Sequence, residues 1–311
     1  MNIYCAGAEA YINQIDRIRS GFISLGHYIT SIEDADMIYC NDPSSYDPDF
    51  KNKNPKAKII YNVLDLPPHC IDRYKYDISR YPYIENPYGR SYDPLDLKEK
   101  LKDCDLVTCI CEEVQWQLLN WCDLESRVIY NPIKNVSHLN LQDKDKIKNR
   151  RGQNYKYLYV GRANDPNKRF HIVAETIMKL GDPVDSLAIV GSENPRWGDY
   201  YGVVSDENLN LFYNSVEYFF FPSAFKSVGL PALESIVTKT KTIVCKDDPT
   251  SEELWSGIGV DSSPDKIASS IKNQEWNDTC KNFVEKHSAQ YKEKFSETSV
   301  AKNIIKEYNT L

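Results

Sequence analysis

"FPSAFKSVGLPALES", residues 221–235, is the stretch on which the fold turns. Its first residue closes the apolar run "EYFFFPS", which reads as a buried strand. Pro222 and Ser223 end that strand, small residues carry a turn, and a helix starts at Gly229-Leu230-Pro231. Proline suits a first helical turn because the N–H it lacks would have no partner there. The amides of Ser227, Val228, Gly229 and Leu230 then point along a helix N-terminus, where orphan N–H groups and the helix dipole favour an anion. Lys226 stands just before these amides, and Glu234 one turn into the helix.

Outward from this unit, strand-like and helix-like segments alternate. On its N-terminal side come "YKYLYVGR", "RFHIVAETIMKLG", "SLAIVGSE" and "DENLNLFYNSV", and after it "KTIVCK". Further upstream a first series reads the same way. "MNIYCAG" is a strand, "YINQIDRIRSGFISLG" a helix closed by Gly26, and "HYITSI", "DMIYCNDP", "AKIIYNVLDLPP" and "CDLVTCICEE" are strands. "EEVQWQLLNWC" is a helix and "SRVIYNPI" a final strand. The charged stretch "QDKDKIKNRRGQN" separates the two series. The pattern predicts an α/β protein of two Rossmann-like, doubly wound domains facing across a cleft. The expected divisions are 1–140, a linker at 141–154, 155–294, and a Ser-capped amphipathic helix at 295–311 that crosses back to the first domain.

In doubly wound sheets ligands sit beyond the carboxyl ends of the strands. After one strand, "YVGRANDPNKRF" places Arg162 and Lys168 on one loop, two cations suited to diphosphate oxygens. Gly191 in "IVGSE" lets backbone approach a ligand closely, as does Gly7 at the end of the first strand. Gly202 and Val203 lead into the next helix. Glu234 can accept two hydroxyls of a ribose or stand as a solvated helix residue.

In order and spacing, "YLYVGRANDPNKRFHIVAETI", "LAIVGSE", "GVVSDENLNLFYNSVEYFFFPS" and "GLPALES" resemble the C-terminal domain of GT-B glycosyltransferases, family 4 in particular. "IIYNVLDLPP", "DLVTCICEEVQWQL" and "RVIYNPI" resemble segments of the N-terminal domain less closely. The resemblance implies a retaining transferase that uses a UDP- or GDP-linked sugar, with no metal and no further cofactor. It implies that Arg162 and Lys168 hold the diphosphate and stabilise its charge as it leaves. Glu234 matches the second glutamate of the family's paired-glutamate motif, the ribose ligand, and the amides after Lys226 match the phosphate and sugar cradle. Asp65 matches the aspartate of a His-Asp strand end.

Three positions depart from the family. Lys226 replaces the first glutamate of the motif, Leu64 replaces the histidine beside Asp65, and "TKTKTIV" lacks a glycine before the strand. Lys226 donates hydrogen bonds and accepts none. It therefore either adds a third cation to the phosphate corner or selects a donor sugar rich in acceptors. His69, a few residues on, either substitutes for the missing histidine or faces solvent. "DRYKYDISRYPYIENPYGRSYD", residues 72–93, interleaves six tyrosines with four cations. Tyr81 and Tyr83 within it either stack on an acceptor or pack on the sheet.

The 311-residue chain is 41% hydrophobic and 27% charged, a globular composition with room for a core. A net charge of −7 argues against nucleic acid as a partner. Nine cysteines without ligand-like spacing suggest reduced thiols in the cytoplasm. No stretch reads as a signal peptide or a bilayer span, which leaves only peripheral membrane contact open. Three functions fit: transfer to a saccharide, lipid-linked or small acceptor; transfer to a protein or a nucleic-acid base; and a degenerate domain that binds nucleotide or glycan without turnover.

Overall fold

Two all-parallel sheets account for the alternation of apolar and amphipathic segments. They lie in separate compact units of the computed structural model, which describes residues 1–7, 12–41, 46–66, 93–224, 228–248 and 250–311. Among these, the first unit takes 1–66, 93–132 and Glu293–Leu311, and the second Ile133–Lys292.

The first unit runs β1 (Asn2–Ala6), α1 (Ile12–Ser24), β2 (Tyr28–Ile29), β3 (Met37–Cys40), α2 (Phe50–Lys53) and β4 (Lys58–Val63). It continues with α3 (Leu95–Lys100), β5 (Leu106–Cys109), α4 (Glu112–Cys122) and β6 (Arg127–Val128). The strands lie in the order β2-β1-β3-β4-β5-β6, so the chain reverses its direction of winding between β1 and β3. β3 is buried throughout and β4 nearly so, and their continuous apolar runs suit strands covered on both faces. The last helix of the chain, Glu297–Tyr308, packs on α1. Ser296 caps it by accepting from the Ser299 amide. The approach is close: a Cβ on Gly21 would stand 2.3 Å from the Glu297 carbonyl oxygen. Ile15, Ile18 and Phe22 from α1 meet Val300, Ala301 and Ile304 over Ile3 and Tyr39 to form this core.

The second unit runs β7 (Tyr157–Val160), α5 (Phe170–Leu180), β8 (Leu187–Val190), β9 (Asp199–Tyr200) and α6 (Asp206–Ser215). It continues with β10 (Tyr218–Phe221), α7 (Leu230–Val237), β11 (Lys241–Val244), α8 (Ser251–Leu254), α9 (Pro264–Lys272) and α10 (Gln274–Lys294). Here the order is β11-β10-β7-β8-β9, and the reversal falls between β7 and β10. Local signals explain the helix ends. Ser205 caps α6 by accepting from the Asn208 amide, and Gly181, at φ 75°, closes α5 in the left-handed conformation glycine adopts freely.

The charged stretch 141–154 is bonded into this second unit. The Ile147 amide donates to Ser215 Oγ at 3.0 Å, Asn149 Nδ2 to the Asp185 carbonyl at 3.0 Å, and Arg150 pairs with Asp199. The division between the units falls earlier, at Ile133. The eight described cysteines form no disulfide, and among the described residues no helix is long and apolar enough to cross a membrane.

Candidate functional site

The loops that follow β7 and β10 stand at the reversal of the second sheet, where an open α/β sheet leaves a crevice for ligands. They are tied together. The Asn167 carbonyl accepts from the Ala224 amide at 2.9 Å and from Ser223 Oγ at 3.2 Å. The loop after β7 is a 3-10 turn at Pro166–Lys168, capped by Asp165, which accepts from the Asn167 amide at 3.0 Å. Arg162 is exposed and also bonds Asp165, Nη2 to Oδ2 at 2.8 Å. Arg169 closes the turn in the left-handed conformation, φ 50°, and its buried guanidinium donates to Asp247 at 2.7 Å.

Glycines let the strand ends approach. A Cβ on Gly191 would stand 2.0 Å from the Gly161 carbonyl oxygen. Gly161 donates to the Val190 carbonyl at 2.9 Å, and Gly191 to the Gly202 carbonyl at 3.0 Å. Val203 next to it is 79% exposed. At the start of α7, a Cβ on Gly229 would stand 2.6 Å from the Phe221 ring, which would have to shift for any larger residue. The Val228 and Gly229 amides donate to no group among the described residues, whereas the Leu230 amide is spent on the Val228 carbonyl at 3.1 Å. Of the expected cradle amides, that of Leu230 is thus occupied.

Glu234 is buried, at 2% exposure. Its Oε2 accepts from the Tyr213 hydroxyl at 3.0 Å and its Oε1 from the Lys134 amide at 3.2 Å. Burial and this carboxylate push the Tyr213 phenol well above its usual range. A carboxylate has about four acceptor positions, and these bonds fix its orientation.

A buried carboxyl that feels the charge of Lys168 carries no signal in the sequence. Asp248 is 2% exposed; its Oδ1 accepts from the Thr250 amide and hydroxyl at 3.1 and 3.0 Å, and its Oδ2 has no partner. Burial pushes its pKa up to about 7, against the pull of the Thr250 bonds; Asp247 pushes it further up and Lys168 draws it down. "KDDPTSE" looks like a surface turn in sequence, and nothing local marks one of its aspartates as buried.

Of the remaining candidates, Gly7 and Asp65 lie in the first unit, both exposed, at the ends of β1 and β4. Leu64 is buried at 8% exposure. Lys226, Ser227, His69, Tyr81 and Tyr83 lie outside the described residues.

No protein-family model matches the chain, and no curated protein matches it in sequence. Solved structures do. A glycosyltransferase from Rickettsia africae superposes with a TM-score of 0.68 at 13% identity, over 99% of this chain and 97% of that one. Sucrose-phosphate synthase from Thermosynechococcus elongatus gives 0.64 at 14% identity, over 97% and 79%. The fold is that of a GT-B glycosyltransferase. A mutant of S. aureus TarM, in complex with UDP, α-GlcNAc-glycerol and fondaparinux, shares the GT-B fold with a TM-score of 0.62 at 15% identity. This chain covers 59% of TarM's length. In this GT-B chain, Arg162 and Lys168 follow the first strand of the second sheet, and α7 follows its fourth.

Proposed function

We propose that the protein transfers a sugar from a UDP- or GDP-linked donor to a hydroxyl-bearing acceptor, with retention at the anomeric carbon and without a metal ion. The observation that supports this best is the crevice at the reversal of the second sheet. There Arg162 and Lys168 share one loop, bonded through Asn167 to the segment that leads to the start of α7. A diphosphate placed there would gain charge-assisted hydrogen bonds worth roughly 1.5–3 kcal/mol each. Those groups stabilise the charge that develops as the diphosphate departs, the task a divalent cation performs in other enzymes. In the reaction, the bond from the anomeric carbon to the β-phosphate oxygen breaks and the acceptor oxygen takes its place. The acceptor's proton passes to the departing diphosphate. Glu234 is assigned to the ribose hydroxyls, Gly191, Gly202 and Val203 to close approach of the nucleotide, and Gly7 and Asp65 to the sugar and acceptor.

A second reading is a GT-B domain that binds nucleotide without turnover, and it is favoured by Lys226 and Leu64, the two departures from the motifs this sequence resembles. Incubating the protein with a panel of UDP- and GDP-sugars, without acceptor and with EDTA present, separates the two. Slow release of UDP or GDP supports the transferase, and binding without release supports the second reading. Absence of any nucleotide binding refutes both.

A further inference from the structure

Glu193 stands two residues beyond Gly191, on the loop that follows β8. It is half-buried, and its Oε2 accepts from the Asn164 amide at 2.8 Å. Asn164 belongs to the loop that carries Arg162 and Lys168, so this carboxylate is fastened to the edge of the proposed diphosphate site. Fastening a loop needs only one neutral acceptor, which an asparagine or glutamine supplies. A full negative charge there opposes a diphosphate through space, and among the described residues no lysine or arginine pairs with Glu193 to offset it. The charge therefore calls for a second partner, one that donates hydrogen bonds.

The backbone that leads to Glu193 is held on both sides. Gly191 donates to the Gly202 carbonyl at 3.0 Å, and the Gly191 carbonyl accepts from the Tyr200 hydroxyl at 2.9 Å. Gly202 lies between two exposed apolar residues, Tyr201 at 40% and Val203 at 79%. The Tyr201 ring is fixed in place: it packs on Phe212 with centroids 4.7 Å apart, and its hydroxyl meets that of Tyr155 at 2.7 Å. An aromatic and an aliphatic side chain left open beside close-packed backbone suit the face of a planar base. A carboxylate on the neighbouring loop suits a base edge rich in N–H groups.

Bases differ in what they offer a carboxylate. Guanine presents N1–H and its 2-amino group side by side, two donors that match two carboxylate oxygens. Uracil presents one N3–H between two carbonyl oxygens, which a carboxylate repels. Cytosine and adenine each set one amino group beside an acceptor nitrogen. We infer that the donor nucleotide is a guanosine diphosphate whose N1–H and 2-amino group are read by Glu193, with Tyr201 and Val203 beside the ring. This names the base for the nucleotide-sugar reading proposed above and rests on that reading.

Calorimetric titration of GDP, inosine diphosphate and UDP into the full chain and into Glu193→Gln tests it. Glutamine keeps an oxygen for the Asn164 amide, so the loop stays fastened, but sets an NH2 where guanine needs an acceptor. The unaltered protein should bind GDP at least about tenfold more tightly than UDP. Inosine diphosphate lacks the 2-amino group and should bind at least about tenfold more weakly than GDP, a comparison that needs no variant. Glu193→Gln should weaken GDP at least about tenfold and change UDP by less than about twofold. The inference is overturned if UDP binds as tightly as GDP or if inosine diphosphate matches GDP. It is equally overturned if the folded variant keeps its GDP affinity or loses GDP and UDP alike. In each of those cases the unaltered protein still binds nucleotide and the nucleotide-sugar reading stands. Binding of no nucleotide at all removes that reading, and this inference with it.

Discussion

Replacing Gly191 by alanine would test how tightly the crevice of the second unit is built. The added Cβ would stand 2.0 Å from the Gly161 carbonyl oxygen, where side-chain carbons keep more than 3.0 Å. The neighbour is backbone and cannot rotate away, so the ends of β7 and β8 must part by about 1 Å. That movement strains two hydrogen bonds, Gly161 to Val190 at 2.9 Å and Gly191 to Gly202 at 3.0 Å. Overpacking costs about 1–3 kcal/mol, and each lost bond about 0.5–1.5 kcal/mol. Gly191→Ala should thus destabilise the protein by about 2–6 kcal/mol, which lowers the melting temperature by roughly 5–20 °C for a chain of this size. Gly152→Ala is the control. Gly152 has φ 73° with nothing within 4 Å of its Cβ position, so only the backbone preference of about 1 kcal/mol is at stake. Differential scanning fluorimetry reads both variants, and calorimetric titration with UDP reads the crevice. A Gly191→Ala protein that melts within 2 °C of the original and binds UDP equally well would refute the reasoning.

Asp248 gives a pH signature. Its folded pKa of about 7 lies above the ordinary value of 3.8, so its contribution to stability is full below that ordinary value and is lost as pH rises through 7. Asp248→Asn should match the original protein near pH 4 and exceed it at pH 8 by on the order of 3 kcal/mol, read from denaturant titrations at the two pH values; equal stability at pH 8 would show that this carboxyl carries no burial penalty. Lys226→Glu restores the residue of the family motif, yet should weaken UDP-sugar binding about tenfold by placing a negative charge against the donor phosphates. Higher turnover on a neutral UDP-sugar would instead mark Lys226 as a trace of lost activity.

The regular parts of the fold were legible because their periodicity is strong. The helix read in "EEVQWQLLNWC" is α4 to the residue, and the strands of "YKYLYVGR", "SLAIVGSE", "EYFFFPS" and "KTIVCK" are β7, β8, β10 and β11. β9 passed unread because two residues carry no period, and α10 because its long polar sequence gives little apolar stripe. The charged run at 141–154 looked like a solvated linker, whereas the side chains of Arg150 and Asn149 bond Asp199 and the Asp185 carbonyl. Positions of candidate groups at strand ends could be read from sequence, but partners distant along the chain could not. The bonds of Tyr213 and of the Lys134 amide to Glu234, of Arg169 to Asp247, and the burial of Asp248 all depend on which strands lie side by side.

The most direct test of the nucleotide-sugar assignment is calorimetric titration of UDP and GDP into the unaltered protein, Arg162→Ala, Lys168→Ala and the double variant. The account predicts that at least one nucleotide binds and that each single variant binds it at least about tenfold more weakly, since one charge-assisted bond contributes roughly 1.5–3 kcal/mol. A folded double variant that binds with the original affinity, or an unaltered protein that binds neither nucleotide, would contradict it.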